Sequence, residues 1–220
     1  MRDDVRLRVT FSKNGPLTYT SHLDLMRVWE RALRRAGVPL AYSHGFNPRP
    51  KLQLAAALPL GHTGEAELLD VWLERSVTVD EFVRSLVPML PDGLRVGQVR
   101  RVSLREPALQ TQVVSAEYRV TVERDEPVEQ VATRLESALA AEELLHERAH
   151  RRRAGERYDL RPLIERLEVE GAARGEVVLG MQLAAREGAT ARPEAVLEAL
   201  GMGDALARYH RRRLICEAAA

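Results

Sequence analysis

Two short segments hold the residues best suited to chemistry. The first is Tyr19-Thr20-Ser21-His22-Leu23-Asp24-Leu25, and the second is Tyr42-Ser43-His44-Gly45-Phe46-Asn47-Pro48-Arg49-Pro50-Lys51. Their aromatic rings (Tyr19, Tyr42, Phe46) are interleaved with Asn47 and the cations Arg49 and Lys51. That mixture suits RNA, because rings stack on unpaired bases while cations meet phosphates. Ser21 and His22 stand where a helix would start, and a helix N-terminus favours an anion such as phosphate. The imidazoles of His22 and His44 can also act as general acid and base near neutral pH, which keeps RNA cleavage as a second reading. No phosphate loop, nucleophile elbow or paired carboxylate accompanies them. The residues therefore favour a binding surface over a reaction. His22, Asp24 and His44 match no standard ligand spacing, so no metal is expected, and no cofactor motif is present.

The two segments lie at the ends of one predicted helix. Ser21 followed by Asp24 resembles a capping box. Gly37 and Pro39 end the pattern near Ala36. Leu25, Trp29, Ala32 or Leu33, and Ala36 follow helical spacing and make a core face, whereas Arg27, Arg31 and Arg34 fall on another. Residues 27–51 hold six basic side chains and one acid, Glu30, the strongest electrostatic feature of the chain. The three helix arginines would steer phosphate, although the same residues would also serve as an ordinary solvated face.

Around that helix the pattern predicts a strand over Val5–Ser12, an apolar strand over Leu52–Leu60 and another over Leu68–Leu73. A helix over Asp80–Met89 follows, capped by Thr78 or Asp80, and then a strand over Leu94–Val102. The order β-α-β-β-α-β is that of a ferredoxin-like fold. The second half repeats it: a strand over Val113–Val122, a helix over Val128–Leu145, strands within Asp159–Val169 and Val177–Ala185, a helix opened by Pro193, and a last strand over Tyr209–Glu217. The expectation is an α+β chain of two tandem ferredoxin-like units, 1–107 carrying the site and 108–220. Glu65, Glu67 and Asp70 read as surface acids flanking a strand, with Glu67 free to pair with a helix arginine. Cys216 reads as a buried strand residue. The arginine-rich stretch 147–161 reads as an exposed loop or a second phosphate contact, and Arg211-Arg212-Arg213 as part of a strand end.

Composition narrows the class. With 45% hydrophobic and 30% charged residues the 220-residue chain is ordinary for a globular protein. Its net charge of +1 excludes a wholly basic nucleic-acid binder. No run approaches the ~20 apolar residues of a membrane helix, and the N-terminus has no signal-like apolar region, so a cytoplasmic location without membrane contact is expected. The single cysteine excludes an internal disulfide and any multi-cysteine metal or iron–sulfur site within the chain.

At Phe11, Lys13, Gly15, Tyr19, Ser21-His22-Leu23-Asp24-Leu25, Arg34-Arg35-Ala36, Ser43, Gly45-Phe46-Asn47-Pro48, Pro50-Lys51, Leu58-Pro59-Leu60-Gly61 and Glu67, the chain resembles a bacterial family of unknown function, the radical-SAM-linked domain. Members stand alone or are fused behind a cobalamin-binding radical SAM protein. Asp159-Leu160-Arg161-Pro162-Leu163 extends the likeness into the second half. Thr20 stands where the family usually has an aliphatic residue, and Gly64 where serine is expected. The resemblance implies no established reaction; it implies a working link to a radical SAM protein in trans. Lacking a Cys-x₃-Cys-x₂-Cys motif, this chain cannot do that chemistry alone. A more distant similarity, at the level of fold, is to CRISPR repeat-processing endoribonucleases. Three functions are thus carried forward. The leading one is an RNA-binding accessory protein that presents tRNA or rRNA to a radical SAM modifying enzyme. The others are an endoribonuclease-like enzyme using His22 or His44 and a docking module for the radical SAM partner.

Overall fold

A computed structural model describes residues 5–147, 155 and 157–217. The chain is mixed α+β and divides into two compact units. The first runs to Val113 and takes in the chain from Cys216 onward; the second spans Val114–Ile215.

The first unit contains β1 (Val5–Lys13), α1 (His22–Arg35), β2 (Leu52–Leu54), β3 (Thr63–Leu73), α2 (Val79–Leu86), β4 (Leu94–Val102) and the short α3 (Leu109–Gln112). Its strands lie in the order β4-β1-β3-β2, and each neighbouring pair is antiparallel. The register sets Leu7 against Val71 and Val9 against Leu69, so the odd-numbered residues of both strands share one face. That face joins the α1 stripe Leu25, Trp29, Ala32 and Leu33 and the α2 pair Phe82 and Leu86 in one core. Phe11 meets Trp29 edge-on with ring centroids 5.0 Å apart. Fully burying such side chains is worth roughly 1.5–3 kcal/mol each.

Both helices start as their sequences demand. The Ser21 hydroxyl accepts from the Asp24 N–H at 3.2 Å and donates to the Asp24 carboxylate at 2.6 Å. That bond, with Arg27 beside it, holds the Asp24 carboxyl below the usual carboxylate range. Thr78 and Glu81 form a reciprocal capping box at α2. Gly37, at φ +66°, turns the chain out of α1 in a conformation that glycine adopts without strain.

The opposite face of the sheet is also covered, and here the sequence reading is corrected. Asp70 is fully buried between Arg6 and Arg8, which are buried as well. It accepts from Arg6 Nε at 2.7 Å, Arg8 Nε at 2.8 Å and Arg8 Nη2 at 3.0 Å. The arginines reach on to the connection that follows β4. Arg6 donates to the Glu106 and Pro107 carbonyls and Arg8 to Gln112 Oε1. Glu67 is buried too, at 3% exposure, and lies on the core face opposite Phe11. An acid in an alternating strand reads as solvent-facing only if one face of the sheet is open; neither face is open here. Glu65 is exposed, as expected.

Other bounds also differ. The strand expected over Leu52–Leu60 is regular only over Leu52–Leu54; the Ala55 N–H makes one more bond to the Leu68 carbonyl, and farther on Pro59 has no N–H to pair and Gly61 turns at φ +84°, donating to the Thr18 carbonyl. The helix expected to Leu145 ends at Ala140, since the Asp159 carboxylate captures the Leu144 N–H and the chain enters another strand.

The second unit holds β5 (Val113–Glu123), α4 (Val128–Ala140), β6 (Leu145–Glu147), β7 (Arg157–Asp159), β8 (Ile164–Ala173), β9 (Glu176–Arg186), β10 (Ala189–Thr190), α5 (Pro193–Ala199) and β11 (Ala207–Cys216). β9 is antiparallel to β5 along its length, with β8 and β10 on its other side, and β11 lies beside β5. The β8–β9 hairpin turns at Arg174-Gly175, both at positive φ as a two-residue type I′ turn requires. β6 and β7 pair separately. Asp159-Leu160-Arg161 is a structural clamp. Asp159 accepts from the Leu144 and Arg161 N–H groups, Leu160 is fully buried, and Arg161 donates to the Leu139 and Ile164 carbonyls. Arg212 and Arg213 are ion-paired with Glu170 and Glu117, in keeping with a structural role. Among the described residues no helix is long and apolar enough to cross a membrane.

Candidate nucleic-acid interface

Lys13 fixes the approach to α1. Its ammonium is fully buried and donates to the Thr20 carbonyl at 3.2 Å and the Thr18 carbonyl at 3.5 Å. The Thr20 hydroxyl closes the same turn by donating to the Leu17 carbonyl at 2.7 Å. Held this way, Tyr19 stands 77% exposed. Nearby on β3, a Cβ at Gly64 would lie 2.6 Å from Glu67 Oε1, so the glycine leaves room for the buried carboxylate.

The second segment is a clamped loop. Tyr42 bridges to Pro50, the Ser43 N–H donates to the Arg49 carbonyl at 2.8 Å, and the Arg49 N–H returns to Ser43 Oγ at 3.0 Å. The base is tied to the sheet by Ala41 N–H to the Trp72 carbonyl, Lys51 N–H to the Ala41 carbonyl and Trp72 N–H to the Lys51 carbonyl. At the tip Gly45 takes φ +133° and Phe46 is 106% exposed, so the phenyl ring has no packing role. Tyr42, His44, Asn47 and Arg49 are exposed as well.

Arg31 and Arg34 lie exposed on α1. Arg27 is exposed but shares a surface ion pair with Asp24 at 3.0 Å, which reduces its charge toward solvent. Ser21 is occupied as the helix cap.

Beside β2 a groove of about 420 Å³ brings His22 together with Lys51. Met26, Leu54 and Trp72 supply apolar wall, and Gln53 and Gln110 supply amides. Tyr19, Tyr42, His44, Phe46, Asn47 and Arg49 do not line it, so His22 and His44 are not paired there. Burial pushes the His22 imidazole below its ordinary value of 6.5, leaving it neutral at pH 7. Its Nδ1 is buried without a hydrogen-bond partner. The positive charge of the groove therefore comes from Lys51. Among the described residues no cluster of three or more His, Cys, Asp or Glu side chains is assembled to hold a metal. Arg148, His150 and Arg151-Arg152-Arg153 of the 147–161 stretch lie outside the described residues.

Sequence reasoning missed Trp72, Gln53 and Gln110. Register could have found the first two, because Trp72 faces Arg6 across the β1–β3 pair and Gln53 faces Asp70 across β2–β3. Gln110 comes from a connection with no periodic signal.

Fold and site together define a mixed α+β protein with an open, cation-bearing groove and exposed aromatic rings. The chain belongs to the bacterial family described as "Uncharacterized protein conserved in bacteria (DUF2344)", whose model matches residues 6–193. No curated protein matches it. Among solved structures, 96% of the chain aligns with 50% of a chain from "Crystal Structure of a Cbf5-Nop10-Gar1 Complex", at TM-score 0.55 and 11% identity. The same share aligns with 49% of a chain from "Structure of H/ACA RNP bound to a substrate RNA containing 2'-deoxyuridine", at TM-score 0.51 and 10% identity. The protein thus spans about half the length of the chains it matches. At these identities the likeness is one of fold.

Proposed function

We propose that this protein is a non-catalytic RNA-binding accessory protein, built from two tandem ferredoxin-like units, that presents tRNA or rRNA to a radical SAM modifying enzyme acting in trans. The observation that carries the reading is Phe46, a fully solvated ring on a clamped loop, followed at once by Asn47, Arg49 and Lys51. A ring presented to water on a loop clamped at its base serves no folding purpose and is poised to stack on an unpaired base. Tyr19 offers a second exposed ring, and Arg31, Arg34, Arg49 and Lys51 offer cations for phosphate. The fold plan supports the reading in part. The orders β4-β1-β3-β2 and β11-β5-β9-β8 follow one scheme, and a chain of similar fold occurs in a particle bound to a substrate RNA. The radical SAM partner rests on the resemblance of the site segments alone.

The test is binding of fluorescently labelled total tRNA and rRNA fragments by the wild type and by the double variant Arg49→Glu/Lys51→Glu. The variant is expected to bind about tenfold or more weakly, with a shallower dependence on salt, because each lost phosphate contact removes about 0.7–0.9 from the log–log slope. Equal affinity, or co-purification of a radical SAM protein in a complex free of RNA, would overturn the proposal.

A further inference from the structure

We propose that the groove beside β2 is a specificity pocket for one unstacked base of the bound RNA, and that it selects a keto base, uracil or guanine, over an amino base. This rests on the RNA-binding reading above and adds to it the site where sequence is read. The polarity of two amides sets this preference. The Leu109 N–H donates to Gln53 Oε1 at 3.0 Å, which fixes the orientation of the Gln53 amide. Gln53 Nε2 then donates to Gln110 Oε1 at 3.4 Å, which turns the Gln110 carbonyl toward Gln53 and leaves its NH2 to face the groove. The hydrogens left over, on Gln110 Nε2 and the second position of Gln53 Nε2, are all donors. Lys51 adds three more, and an ammonium accepts nothing. The side-chain amides and the cation therefore present donors to an occupant.

Carbonyl oxygens match such a rim. Guanine offers O6 and N7, and uracil offers its two carbonyls, whereas adenine and cytosine bring an exocyclic amino group against donors. A polar site left unpaired by the wrong ligand discriminates far more strongly than an apolar one. Trp72 supplies the stacking surface. Arg6 lies 4.9 Å from its ring centroid and is itself anchored on Asp70, so the indole is held in place. At about 420 Å³ the groove falls within the range of small-ligand pockets, room for one nucleotide but not for a duplex.

The experiment titrates the whole chain with labelled U8, C8 and A8, following oligonucleotide anisotropy and tryptophan emission in parallel. Trp29 is fully buried, so a change in emission reports on Trp72. Structured RNA is titrated alongside, and Gln110→Ala, at an exposed position, is compared after its melting curve has been matched to wild type. Expected are about tenfold tighter binding of U8 than of C8 or A8, quenching by U8 alone, and collapse of the preference in Gln110→Ala. Binding of all three oligonucleotides with equal affinity, or without quenching, would overturn the pocket while leaving the RNA reading intact. Failure to bind structured RNA or any oligonucleotide would overturn both.

Discussion

Replacing Asp70 with Asn removes one charge and almost no volume, so its effect isolates the buried Arg6–Asp70–Arg8 triad. The carboxylate accepts three guanidinium hydrogen bonds of 2.7–3.0 Å with all three side chains buried. Charge-assisted bonds contribute about 1.5–3 kcal/mol each, which sets an upper bound of about 5–9 kcal/mol. Two features reduce it. The amide keeps one acceptor, and the arginines retain the Glu106 and Pro107 carbonyls, Gln112 Oε1 and the Glu106 carboxylate at 3.8 Å. Breaking a buried pair commonly costs about 3–5 kcal/mol, the value expected here, and a large part of the about 5–15 kcal/mol that holds a typical protein folded. With a urea m-value of about 2 kcal/mol/M the midpoint falls by about 1.5–2.5 M. Tryptophan fluorescence is the right probe, because Trp29 and Trp72 both lie in the first unit. Arg6→Met/Asp70→Leu/Arg8→Met, which removes every charge together, should recover most of the loss. A midpoint shift below about 0.5 M for Asp70→Asn would refute the reasoning.

Two further outcomes follow from local geometry. His22 has its proton affinity lowered by burial, so the unfolded chain binds protons more readily and stability falls as pH drops below about 6.5. His22→Gln should flatten that loss, and urea midpoints that decline equally in both proteins between about pH 7 and 5 would contradict it. Gly93 sits at φ +88° with a would-be Cβ only 2.3 Å from the Asn14 carbonyl oxygen. Gly93→Ala should therefore cost about 3 kcal/mol through backbone strain and displaced backbone, visible in thermal melting, and an unchanged melting temperature would contradict it.

Much of the first unit was legible because local signals agreed. Val5–Ser12 alternates, Ser21 and Thr78 cap, and Leu25, Trp29 and Leu33 repeat at helical spacing. The misread positions are those where tertiary packing overrides the local pattern. Asp70 and Glu67 look like surface acids until the register and the connection after β4 bury both faces of the sheet. Lys13 carried no local sign that its ammonium would be buried and bonded to two backbone carbonyls. The loop 43–49 was legible as a candidate site because glycine and proline so close to rings and cations have few structural uses. The groove was not, since Trp72, Gln53 and Gln110 meet only through strand pairing and a non-periodic connection.

The most direct measurement is RNA affinity as a function of salt for the wild type and Phe46→Ala. The ring touches no core, so folding is unaffected, and stacking contributes about 1–3 kcal/mol per base. The account predicts affinity about five- to 150-fold lower with an unchanged salt slope. Affinity within about twofold of wild type at every salt concentration would contradict it.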